Sequence, residues 1–92
     1  MERLRSWYES NCNGDWEHQF GIAIVTLDNP GWSVEIDLKG TPLEQEDFEK
    51  VTIDRSEKDW AFASKQDGKF RIACGVRNLD EALRIFCDWA GI

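Results

Sequence analysis

The chain has 92 residues, 41% of them hydrophobic and 12% aromatic, which suits one modest core in a single domain over 1–92 and excludes a disordered tail. Eighteen acidic residues against eleven basic ones leave a formal net charge of -7. Such a field repels phosphate backbones and steers basic proteins inward, so a protein partner is expected and a nucleic acid is not.

From the N-terminus, Leu4, Trp7 and Tyr8 stand at helical spacing, and Asn13-Gly14 supplies a stop, so a first helix is expected over roughly Met1 to Cys12. The opening "MERLRSWYES" lacks the apolar core of a signal peptide, and no run approaches membrane-spanning length. The segment "FGIAIVTL" is apolar and rich in β-branched residues, which predicts a strand buried on both faces or nearly so.

In "DNPGW", Pro30 and Gly31 fit the two central positions of a type II turn, with Gly31 taking the positive φ. Trp32, Val34, Ile36 and Leu38 then alternate with Ser33, Glu35 and Asp37, so a second strand has one apolar and one wet face, with Trp32 pointing into the core. The polar connection "GTPLEQEDFE" carries an acidic run over Glu44–Glu49, and "EKVTIDR" is the third strand. A short turn around Ser56-Glu57-Lys58 leads to "DWAFASK", and Asp67-Gly68 joins that to "KFRIACG" in the strongest hairpin signal of the chain.

Asn78 and Glu81 have capping-box spacing, followed by Leu79, Ala82, Leu83, Phe86, Trp89 and Ala90 on one stripe of a final helix. The fold class expected is α+β: an N-terminal helix, a five-stranded antiparallel meander and a C-terminal helix, with both helices on one sheet face. The other face would then be open, with Ser33, Glu35, Asp37, Thr52 and Asp54 on it.

Chemistry-bearing groups are few. "GDWEH" holds Asp15, Glu17 and the lone His18, but no HxH, HxxxH or cysteine-pair spacing of a metal centre goes with them, so neither a metal nor any other cofactor is expected. The carboxylates there read more simply as a hydrogen-bonded loop over Trp16. Cys12, Cys74 and Cys87 are an odd number without CxxC spacing, which points to a reducing, cytoplasmic compartment. Cys74, in "ACGVRN", precedes a helix N-terminus and lies near Arg77, features that lower a thiol pKa and raise the alternative of a rhodanese-like sulfurtransferase. Its strand parity instead makes it a small buried apolar residue.

The ordered set "CNGDWEH", "TLDNPGWSVEIDL", "SEKDW" and "NLDEALRIFCDWA" resembles the immunity protein 53 family from Trp7 to Trp89. That resemblance implies a non-enzymatic protein that binds a cognate domain of a bacterial polymorphic toxin and neutralises it in the producing cell and its kin. Combined with the charge, it makes Asp15, Glu17, Glu35 and Asp37 the candidate toxin-binding residues and leaves the oligomeric state open.

Overall fold

The computed structural model describes residues 2–92. Helix α1 (Glu2–Asn11) and a single helical turn α2 (Trp16–Gln19) precede strands β1 (Ile22–Leu27), β2 (Gly31–Asp37), β3 (Val51–Ser56), β4 (Asp59–Gln66) and β5 (Lys69–Gly75). A 3₁₀ turn over Val76–Asn78 leads into α3 (Leu79–Ala90). The expected α+β class, with one open antiparallel sheet between two terminal helices, is the observed one. Met1, the expected first residue of the N-terminal helix, lies outside the described residues.

The strand order is β1-β2-β5-β4-β3, which departs from the consecutive order of a meander. The β1–β2 hairpin and the β3–β4–β5 run each follow chain order, but β2 pairs with β5, with Ser33 opposite Ala73. The connection 38–50 is long enough to carry the chain past the β4–β5 turn to the far edge. It is not merely a solvated acidic loop, because Leu43 is buried and Phe48 packs on Phe70 and Trp89 at centroid distances of 4.6 and 5.4 Å. Beneath it the Lys65 ammonium donates to the carbonyls of Leu43 at 3.3 Å, Glu44 at 2.8 Å and Glu46.

One sheet face holds the core. Val34 and Ile36 of β2, Phe70, Ile72 and Cys74 of β5, and Ala61 and Ala63 of β4 are buried. They lie under Leu4 and Trp7 of α1 and Ala82, Leu83, Phe86 and Cys87 of α3. The small alanines on β4 leave room for edge-to-face contacts among larger rings, with Trp7–Phe86 and Phe70–Phe86 centroids both 5.1 Å apart.

Several local expectations are revised. Gly31 does not adopt positive φ; it opens β2, and a Cβ there would overlap the Cys74 carbonyl of the neighbouring strand. Positive φ occurs instead at Asp67 (54°) and Gly68 (76°), as a two-residue hairpin turn requires. Trp32 and Trp89 pack on the core but stay half-buried, their indole N–H groups donating to Val76 O at 3.0 Å and Asp47 O at 2.8 Å. The deeply buried tryptophans are Trp7 and Trp16. β1 is an edge strand, so its apolar run is not buried on both faces; Ile24 and Val25 remain 40% and 55% exposed.

Candidate functional site

Asn13 organises the loop that carries the first two candidate carboxylates. Its Oδ1 accepts the N–H groups of Asp15 and Trp16, both at 2.9 Å, the side-chain turn that Asn favours and that converts "NGDWE" into the start of α2. Trp16 drops into the core, where its indole N–H donates to Lys39 O at 2.8 Å. Asp15 is left exposed, accepting only a 3.3 Å bond from Gln19. Glu17 folds back over the loop and accepts from Asn13 N at 2.9 Å and Gly14 N at 2.7 Å. Backbone N–H bonds, its own first and then those of Asn13 and Gly14, hold its carboxyl below the usual range.

Glu35 and Asp37 lie on the sheet face opposite the helices, as the alternation of β2 requires. Cross-strand pairing sets them beside two cations of β5, with Glu35 opposite Arg71 and Asp37 opposite Lys69. Lys69 Nζ stands 3.3 Å from Glu35 and 3.5 Å from Asp37, and Arg71 Nε is 3.8 Å from Glu35. Hydrogen bonding to Glu35, then the charge of Asp37, raises the Lys69 pKa. Asp37 has a second task, since its Oδ2 accepts the Gly21 N–H at 2.9 Å where β1 begins.

Glu17, Glu35 and Asp37 converge on one shallow depression of about 400 Å³, with His18 and Lys69 on the same rim. Asp15 does not line it. Two of the four carboxylates, Glu17 and Asp37, therefore hold backbone N–H groups, whereas Asp15 and Glu35 hold none. Among the described residues no group of three His, Cys, Asp or Glu side chains is arranged to hold a metal ion.

Toward the opposite end of the sheet lies a larger cavity of about 870 Å³ that the sequence did not point to. The β1–β2 turn (Asn29, Pro30), the β3–β4 turn (Glu57, Lys58) and Trp60 line it. Trp60 and Phe62 lie side by side on the open face, 5.3 Å between centroids, and Phe62 is 39% exposed. Their alternation with buried Ala61 and Ala63 was the available signal: it sends two large aromatics away from the core.

Behind this cavity Arg55 binds Asp59 at 2.7 Å and Glu81 through a bidentate pair at 3.1 and 2.6 Å. Asn78 does not cap α3 through its side chain. Its amide donates to Asp59 at 2.9 Å and Glu81 at 3.1 Å and accepts from Trp60 N at 3.3 Å, tying the start of α3 to β4.

Cys74 is wholly buried, and burial pushes its thiol pKa up. The thiolate an attacking cysteine needs is thus disfavoured, contrary to the helix-terminus effect that raised the sulfurtransferase alternative. No helix among the described residues is long and apolar enough to cross a membrane.

Compared with known proteins, residues 1–91 match the family model described as immunity protein 53. No curated protein and no solved structure matches the chain.

Proposed function

Because the chain belongs to the immunity protein 53 family, we propose that it binds and neutralises a cognate domain of a bacterial polymorphic toxin in the cytoplasm, without catalysis of its own. Family membership over residues 1–91 is the observation that carries this reading. The contact surface in this proposal is the open sheet face with the adjoining α2 loop. Asp15, Glu17, Glu35 and Asp37 supply negative charge there, and Trp60 and Phe62 supply apolar area of the kind that dominates binding energy at protein interfaces. A net charge of -7 supports fast, steered association with a basic partner.

Co-expression with the product of the reading frame immediately upstream, followed by binding kinetics at two salt concentrations, tests the proposal. Steering weakens as the Debye length shrinks from roughly 30 Å at 0.01 M salt to 10 Å at 0.1 M, so the on-rate should fall. Asp15→Asn and Glu35→Gln are the suitable charge variants, since neither removes a partner from a backbone N–H. Both should slow association with melting unchanged, while Phe62→Ala should speed dissociation by roughly tenfold or more. Salt-independent kinetics with intact neutralisation by all three variants would refute the surface assignment. A toxin that still kills in the presence of the wild-type chain would refute the function.

A further inference from the structure

The two edges of the sheet are built differently. β3 carries Asp54 and Arg55 and a register irregularity between Asp54 and Ser56, features that block pairing with another strand. β1, "IAIVTL", has no charge, proline, glycine or bulge, and Ala23, Ile24, Val25 and Thr26 are all exposed. Among the described residues β1 pairs with β2 alone.

The hydrogen-bonding direction of β1 follows from two observations. Asp37 N donates to Gly21 O at 3.0 Å, so odd-numbered residues of β1 bond inward to β2. Leu38 N donates to Gly68 O at 2.8 Å, which confirms that even positions of β2 bond the other way, to β5. Ile22, Ile24 and Thr26 consequently direct their N–H and C=O groups outward from the edge.

We propose that this edge pairs with β1 of a second copy of the chain, antiparallel about a two-fold axis through Ile24, giving a continuous ten-stranded sheet across the dimer. With Ile24 opposite its symmetry mate, Ile22 falls opposite Thr26 of the second copy. All the outward-directed backbone groups of β1 are then paired within the strands. The same register sets Ala23 beside Val25 on the open face, so apolar side chains meet on both faces and all helices lie on one side. The strand's own sequence fits itself, which singles out a second copy as the occupant. Two chains of charge -7 meet along a strip that carries none. A six-residue strand buries less than the roughly 800 Å² per partner of a standard interface, so the dimer forms in a concentration-dependent manner, at roughly micromolar affinity or weaker. This inference does not depend on the toxin-binding reading.

Sedimentation of the full chain over increasing concentration, with variants at the axis, provides the test. Wild type should pass from monomer to dimer. Ile24→Lys and Ile24→Glu each place like charges directly opposite one another and should weaken dimerisation by roughly tenfold or more. An equimolar mixture of the two variant chains should dimerise again, because opposite charges now face across the axis; that recovery also demonstrates that both fold. Val25→Lys, on the open face, should weaken the dimer while leaving the melting temperature of the dilute, monomeric chain unchanged. A chain that stays monomeric at roughly millimolar concentration overturns the proposal. A dimer indifferent to Ile24→Lys, or variant chains that fail to pair on mixing, also overturns it. If wild type is monomeric but Ile24→Lys abolishes toxin binding, the edge serves a partner's strand and the second-copy assignment is wrong.

Discussion

A methyl group added at Gly31 would meet the Cys74 carbonyl well inside contact distance and Leu27 Cδ1 at 3.5 Å. The clash is with backbone of a central strand, so no side chain can swing aside to relieve it. Gly31→Ala should cost about 1–3 kcal/mol, as overpacking of a well-filled interior does, which corresponds to a melting temperature several degrees lower. Gly21→Ala is the matched control: no atom lies within 4 Å of a Cβ there and its φ is outside the left-handed region. It should be neutral or stabilising by up to about 1 kcal/mol, through loss of freedom in the unfolded chain. Equal melting of the two variants would show that the β2–β5 approach is looser than described. Gly31 illustrates how a correct residue can be read for the wrong reason. Beside Pro30 it looks like turn chemistry, and only its neighbour across the sheet reveals that space decides its identity.

The elements are fastened by a polar cluster at the α3 start as well as by the core. The Glu81 carboxyl is held down at about 2, from an ordinary 4.5, by hydrogen bonds from Arg55 first and Asn78 second, and Asp59 is lowered by Asn78 and Arg55. A depressed carboxyl favours the folded chain at pH above its unfolded value. As pH falls from about 4.5 toward 2 the unfolded chain takes up the proton first and that stabilisation disappears. Melting temperature should therefore drop over this range, and Arg55→Gln should make the drop shallower; parallel curves would rule out the linkage. These groups are partly solvated, so the effect belongs to the modest class of surface ion pairs. Strands and helices were legible in the sequence because Val34–Ile36, Phe70–Ile72 and the Leu83–Phe86 stripe carry local periods. Asp67-Gly68 marked its turn for the same reason. The Asn78 cluster was not legible, because the Arg55 and Asp59 that claim Asn78 and Glu81 come from other elements. Likewise the spacing within "FGIAIVTL" tells nothing about whether a strand lies at an edge. The depression joining Glu17 to Glu35 and Asp37 depends on the Asp37–Gly21 bond, which no local pattern announces.

At the scale of the molecule, most of the cations on the sheet and between the termini are already engaged. Arg3 bonds Asp88 at 2.8 Å and the Ile92 carbonyl at 2.7 Å, clasping the first helix to the last, while Lys69 and Arg71 serve Glu35 and Asp37. The sheet, too, is closed by its last-made strand. β5 sits between β2 and β4 and brings Phe70, Ile72 and Cys74 to the centre of the core. A chain ending at Gln66 would keep two hairpins with no common neighbour and would lose Phe70, Phe86 and Trp89. It should show no cooperative melting transition; a sharp one would mean that the first two-thirds fold alone. The consequence reaches into synthesis. During translation the hairpin of β1 and β2 emerges before the other strands and must wait, its β2 edge bare, until Lys69–Gly75 have left the ribosome. Protection of that edge then arrives in one step, with β5, and a ribosome that stalls anywhere between Asp37 and Gly75 would release an equally useless product.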